Sequence, residues 1–346
     1  MISIYILLLT IVLCGLSFNK GGFYNDYIDI KQTNAIKGIF IILVFVRHVL
    51  QYVYDSGYSF SNYGDHYVEM LDGMLKQLLV AYFLFCSGYG VMESIKKKGE
   101  NYIGSIPRKR IAVTLVNFDI AVLIFFAADL LIGSPVSVTQ FLQSLISWES
   151  IGNSNWYIFA ILYCYAASYI SFSAFNNSKN GTGKSVCLLF ALCIIYLVAM
   201  QYFKPSHWYN TIFCYPAGLL FSNYRHHIKT NPISRYLFAL TLLIVFFIIT
   251  YMYDDSFGIA HNICSIVFCL IIVFCNMKIK VENIVLSWMG SNLFPLYIYQ
   301  RLPMMLIYYF AGARFVSQYP NLYIYASLLL TIAIAYMYKF IRIKRV

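Results

Sequence analysis

One run of about 20 apolar residues follows another along nearly the whole chain, and a sequence built that way buries its backbone polar groups only as membrane-spanning helices. Charged residues make up only 11% of the 346 residues, against about a quarter in a soluble domain. A globule of this size could not be wetted by so few. Run length separates helix from strand here, because periodicity is uninformative in continuous apolar stretches. The runs predict an all-α, polytopic bundle of about 11 spans. They lie near 2–18, 36–54, 73–92, 111–133, 154–174, 186–203, 208–222, 236–253, 259–276, 285–311 and 322–341. Residues 1–30 form an additional N-terminal span and linker, retained because no basic segment precedes it as in a cleaved signal. Residues 31–346 form a ten-span domain.

The formal charge of +11 is not a nucleic-acid footprint, because the basic residues fall in short clusters between apolar runs. One set of loops carries Lys20 and Lys31; Lys96 to Lys98 with Arg108, Lys109 and Arg110; Lys179 and Lys184; Arg225, Lys229 and Arg235; Lys278 and Lys280; and the tail from Lys339 to Arg345. The alternate set carries Lys204 and Arg314, with Asp55, Asp65, Glu69, Glu149, Asp254 and Asp255. That alternation is the positive-inside pattern and predicts an external N-terminus and a cytoplasmic C-terminus. The external segment Tyr54 to Asp72 reads as a long polar loop, and His261 and Asn262 as interfacial residues. The nine cysteines sit in or beside apolar runs with no paired spacing, so they read as small membrane-compatible residues, and no metal site is expected. The stretch Asn180-Gly-Thr-Gly-Lys184-Ser185 imitates half a phosphate-binding loop, but Ser178 stands where a glycine is needed and no strand precedes it.

Ionisable groups inside spans are costly and mark functional sites. Lys37 and His48 share the second span, eleven residues apart. That separation turns the helix through three turns plus about 20° and rises about 16 Å, so both face the same way from different depths. Lys37 has two open readings, as a helix-end anchor or as the cation that holds an anionic donor. His48 is placed to take a proton from an acceptor hydroxyl. Its neighbour Arg47 lies about 100° round the helix and is expected to face another helix. Arg301, between Pro295 and Pro303, must pair or face water, and Asp119 and Asn117 are candidate partners for it or for His48. Ser87-Gly88 reads as a close-packing element rather than a nucleophile.

The stretch from Lys37-Gly38 to His48 resembles the signature of the acyltransferase-3 superfamily of membrane acyltransferases, a basic residue, ten residues, then His. Three further stretches resemble family elements in the same order: Phe83 to Tyr89 with its Ser-Gly-Tyr; Asn155-Trp156-Tyr157-Ile158; and Met289-Gly290-Ser291-Asn292 followed by Tyr297-Ile298-Tyr299. The family usually has Arg where this chain has Lys37. Val113 stands where many members have a second arginine after Arg110, and Gln300 where many have a late His. The resemblance implies an O-acyltransferase of the plasma (inner) membrane. Its donor would be acetyl-CoA or another cytoplasmic acyl-CoA, with no permanently bound cofactor. Its acceptor would be a hydroxyl of an envelope polysaccharide or lipid-linked glycan, with membrane lipids as surroundings and no nucleic acid. On that reading His48, Arg301 and Asp119 carry catalysis. Lys37, Arg108 and Arg110 hold the donor's phosphates. Arg47, Ser87, Trp156, Tyr157, Asn292 and Gln300 line the acceptor site or pocket. A non-catalytic glycan exporter on the same scaffold, favoured by the missing late His, and a small-solute transporter are the alternatives.

Overall fold

The computed structural model describes residues 1–343 apart from 177, 179, 229–231 and 254–257. Of the loop charges above, Lys179, Lys229, Asp254, Asp255, Lys344 and Arg345 lie outside the described residues. The helices are α1 Ser3–Cys14, α2 Ile30–Asp55, α3 Tyr63–Leu75, α4 Leu78–Lys98, α5 Glu100–Ile106, α6 Val113–Ile132, α7 Val138–Leu145, α8 Trp156–Ala174 and α9 Gly181–Phe203. They continue as α10 Cys214–Tyr224, α11 Ile233–Met252, α12 Gly258–Asn276, α13 Ile284–Ser291, α14 Leu293–Tyr299, α15 Arg301–Ala311, α16 Ala313–Gln318 and α17 Pro320–Ile341. Two three-residue strands, β1 Leu16–Phe18 and β2 Ile279–Val281, pair antiparallel. The all-α class therefore holds, and the chain is a multi-pass membrane protein.

Among the described residues, eight helical stretches are long and apolar enough to cross a bilayer: α2, α3 with α4, α5 through α6, α8, α9, α11, α12 and α17. The other three predicted runs form shorter or interrupted helices, each for a local reason. The first stops at Cys14, where Gly15 lies against the Glu282 carbonyl, 2.8 Å from where a Cβ would sit, and the chain passes into β1. The run at 208–222 is helical only from Cys214. Asn262 bonds both the Tyr209 carbonyl (3.1 Å) and the Phe213 amide (3.2 Å), satisfying that backbone without a helix. Asn262 and His261 are thus buried, not interfacial. The run at 285–311 is divided into α13, α14 and α15. Pro295 and Pro303 supply no N–H for the carbonyls of Ser291 and Tyr299, while Gln300 keeps helical dihedrals (φ −57°, ψ −33°). The segment expected as a polar loop from Tyr54 to Asp72 is largely the helix α3, whose Asp65 and Val68 face inward.

Helix α4 forms the core. Every residue from Leu78 to Cys86 is buried, as in a helix apolar on all sides. Helix α11 lies at the edge and buries only Tyr236 and Thr250 along its length, leaving an apolar face for lipid. Two helix pairs touch backbone to backbone. A Cβ on Gly38 would lie 2.0 Å from the Leu286 carbonyl oxygen, and one on Gly290 would lie 1.8 Å from that of Asn34, so α2 and α13 admit only glycine there. Likewise Gly88 meets the Tyr215 carbonyl at 1.9 Å and Gly218 that of Phe85 at 2.0 Å, joining α4 to α10. The Ser87-Gly88 pair is thus a packing element in the small-residue sense. The N-terminal segment is bonded at both ends, through Met1 to Asp65 (3.1 Å) and through β1 to β2. All nine cysteines are free thiols.

Candidate functional site

Helix α2 carries both candidate residues. Asp29 caps it by accepting from the Gln32 amide (2.7 Å), and the buried Gln32 bonds Asn276 (3.0 Å) and the Val281 amide (3.1 Å), fixing the helix start against α12 and β2. From there the eleven-residue spacing sends Lys37 and His48 to two different cavities.

The histidine cavity, about 610 Å³, is lined by His48, Arg47 and Gln51 of α2, by Gln77, by Arg301 and Tyr297, by the segment 149–156 and by Phe203 to Trp208. His48 is half-buried and its Nδ1 has no hydrogen-bond partner among the described residues. Gln51, one turn on, and the guanidinium groups of Arg47 and Arg301 make up its polar surroundings. Arg301 donates to no carboxylate among the described residues. One amino group donates to Gln51 Oε1 (2.9 Å), its Nε is unpartnered, and Tyr52 lies under the guanidinium at 5.9 Å. Arg47 is ion-paired to Asp72 (3.2 Å). Asp72 belongs to the neighbouring helix α3, as expected from the position of Arg47 round α2, and the long side chain also lines the histidine cavity. Opposite stands an aromatic wall. Lys204 lies against Trp148 and Trp208 and pairs with Glu149 (2.7 Å), while Trp156 meets His207 edge-on. His207 lies in the loop before α10, and burial with the charge of Arg47 holds its pKa below the usual histidine range. Asn153 and Ser154 are almost fully buried here, and Asn153 Nδ2 and Ser154 Oγ have no hydrogen-bond partner among the described residues.

The lysine cavity, about 360 Å³, is lined by Asn34, Lys37, Ser87, Arg110, Thr114, Tyr157, Tyr165, Gly290, Ser291 and Tyr297, among others. Arg110 donates to the Tyr102 hydroxyl (3.2 Å) and faces the Tyr165 ring at 5.8 Å. It sits in a π-helical turn, Pro107–Ala112, that joins α5 to α6, where Pro107 removes a helical donor. Lys37 has no ion pair among the described residues. A third cavity of about 430 Å³ shares Thr114, Ser291 and Phe294 with this one and adds Asn117, Asn292, Tyr338 and Arg342.

The geometry thus places a cation-lined recess and an imidazole-lined recess on one helix. A model described as an acyltransferase domain, that of the acyltransferase-3 family, matches residues 25–339. The chain belongs to the acyltransferase-3 family. Comparison with curated proteins and with solved structures gave no match. Family membership supports a membrane acyltransferase, and the family elements seen in the sequence converge in space. Gly38 meets the Leu286 backbone and Gly290 that of Asn34, so the helices carrying these two stretches are in backbone contact. The Tyr157 and Tyr297 rings lie 5.2 Å apart and nearly edge to face.

Other candidates of this acyltransferase-3 chain fall elsewhere. Arg108 is exposed and lines neither recess. It lies two residues from Arg110, which on a helix is roughly the opposite side. Asp119 lines none of these cavities and its Oδ1 is unpartnered, while Asn117 donates to the Ile343 carbonyl (3.1 Å) and accepts from the Ile343 amide (3.0 Å). Neither pairs with Arg301 or His48. Asn292 donates to the Trp288 carbonyl (2.9 Å) and faces the third cavity. Gln300, buried, donates to the Tyr297 carbonyl (2.9 Å) and faces a small apolar pocket with Ile41, Phe45 and Leu328. The departure from the family's late His therefore falls outside both recesses. Sequence reasoning passed over Gln51, although it stands one turn from His48, and the polar stretch Ser150 to Asn155 that leads into Trp156. Lys204, His207 and Trp208 carried no signal, because only folding brings their loop over α2.

Proposed function

We propose that this acyltransferase moves an acyl group, most simply acetyl, from cytoplasmic acyl-CoA to a hydroxyl of an envelope polysaccharide or its lipid-linked precursor in the plasma membrane. The observation that carries the reading is the placement of Lys37 and His48 in two recesses of one helix that meet at a single shared side chain. In the lysine cavity Lys37 and Arg110 supply positive charge for the donor's phosphates. In the histidine cavity Trp156 and Trp208 offer flat apolar faces, and Asn153, Ser154 and Gln51 offer hydrogen-bonding groups, which suits a sugar ring. The acceptor O–H gives its proton to His48 as its oxygen bonds to the thioester carbonyl carbon. The carbon–sulfur bond then breaks, and the CoA thiolate takes up the proton held by His48. Arg301 lies beside the imidazole, where negative charge develops on the carbonyl oxygen. Proteoliposomes given acetyl-labelled CoA and purified envelope glycan test the reaction. An ester formed on the glycan by the wild type and not by His48→Ala supports it. Glycan crossing the membrane without ester formation would favour the export reading.

Donor binding is separately measurable. Lys37→Ala should weaken acyl-CoA binding by about 10–100-fold, the value of one or two charge-assisted hydrogen bonds, whereas Lys37→Arg should retain it. Titration of the detergent-solubilised protein reads this, and an unchanged affinity in Lys37→Ala removes the residue from the site.

The topology belongs to the same proposal: eleven crossings, with the N-terminus outside and the C-terminus cytoplasmic. A reporter fused after Lys98 should be cytoplasmic and one inserted at Tyr63 external. Both on one side would overturn it.

A further inference from the structure

Two recesses on one helix pose a problem that the acyl-transfer reading leaves open. Reacting atoms must approach to about 3–3.5 Å, yet the acyl donor and the acceptor are assigned to separate cavities. Among the described residues the two linings have one member in common, Tyr297. Its side chain is almost fully buried. The ring abuts Tyr157, which faces the lysine cavity, while the preceding residue Trp156 faces the histidine cavity. Tyr297 sits on α14, a seven-residue helix between breaks at Asn292 and Gln300, where Pro295 and Pro303 remove two of the hydrogen bonds that would make a continuous rod.

We propose that Tyr297 is the septum between the donor and acceptor chambers, and that its ring must swing aside for the acyl group to pass. The proposal rests on the acyl-transfer reading for the contents of the chambers, though not for the existence of the wall. A closed septum keeps water that enters the wide histidine cavity away from the donor's thioester, so that the acyl group is not wasted by hydrolysis. The barrier is the ring's bulk, with Tyr157 as its backstop.

The test uses a reporter that needs no turnover. Ser87 lines the lysine cavity, so Ser87→Cys is a thiol in the donor chamber. A charged, membrane-impermeant thiol reagent is applied in proteoliposomes from the face on which the histidine cavity opens, and labelling at position 87 is read by mass spectrometry against the parent protein. With Tyr297 intact, or as Tyr297→Phe, labelling from that face should be slow. In Tyr297→Ala it should be roughly tenfold faster or more, as expected when a water-excluding wall is removed. From the opposite face the rates should match. Tyr157→Ala, which thins the same wall from the other side, should give a smaller increase and serves if Tyr297→Ala fails to fold. In parallel, acyl-CoA is supplied without acceptor. Hydrolysis, in which a water oxygen bonds to the carbonyl carbon as the carbon–sulfur bond breaks to free acid and thiol, should rise in Tyr297→Ala. Labelling no faster in the folded alanine variants overturns the septum. Fast labelling together with a wild type that neither transfers nor hydrolyses acyl groups overturns the acyl-transfer reading and leaves the septum standing.

Discussion

Replacing His48 with alanine should leave a folded, inserted protein that binds acyl-CoA normally and transfers acyl groups about 10²–10⁴ times more slowly, the span of a lost general base. Lys37 and Arg110, the cations proposed to hold the donor, line a different cavity, so donor affinity has no reason to change. Folding has little reason to change either, because the imidazole faces the histidine cavity and its Nδ1 bonds no other described group. The wild-type rate should fall on acidification, since an imidazolium has no lone pair to accept the hydroxyl proton, while the residual rate of the variant should not follow it. Single-turnover transfer across a pH series, alongside donor titration, separates these effects. Transfer at the wild-type rate in His48→Ala would place the base elsewhere. Arg301→Ala should slow transfer too, because no carboxylate competes for its guanidinium among the described residues, but Arg301→Lys should not restore it. A lysine cannot keep the Gln51 hydrogen bond and still point a second planar N–H at the carbonyl oxygen.

The largest structural effect should come from Gly290→Ala. The added methyl would lie 1.8 Å from the Asn34 carbonyl oxygen, which is backbone and cannot rotate away, so α13 and α2 must separate. Overpacking typically costs about 1–3 kcal/mol where side chains can adjust, and here only whole helices can. The expected result is loss of most folded protein, or a melting temperature far below that of the parent in detergent. Any protein that survives should bind acyl-CoA poorly, because Gly290 and Lys37 line the same cavity. Gly104→Ala is the control. A Cβ there meets nothing within 4 Å, so the change should be neutral or stabilise α5 by about 0.5–1 kcal/mol. A Gly290→Ala protein melting with the wild type would mean that the two helices are not in backbone contact.

How the chain reads at each level follows from what local sequence encodes. Run length located the long helices well, because hydropathy and span length are both local. It could not see that the first run is cut at Gly15 by the Glu282 carbonyl, or that Asn262 takes over the backbone at 209–213, since those partners lie far along the chain. The prolines at 295 and 303 were visible, and their effect on hydrogen bonding was derivable from the missing N–H alone. At the site, helical arithmetic put Lys37 and His48 in the same direction at different depths. The same arithmetic would have separated Arg108 from Arg110 and added Gln51 to His48. It also sent Arg47 toward a neighbouring helix, where it finds Asp72 of α3, but the angle of a Cβ does not say that so long a side chain lines the histidine cavity as well.

The sequence by itself determined that this is a helical membrane protein, where most of its helices run, and which family elements it carries. All of these depend on the order and spacing of residues along one segment. Only the tertiary structure decided that Lys37 and His48 line different cavities, that Gln300 faces neither, and that Tyr297 lines both. Helices that are apolar on every side carry no mark of which face meets which neighbour. The meeting of α2 with α13 and of α4 with α10 is set instead by how closely their backbones can approach at glycines, and by the few polar groups that must find partners away from lipid.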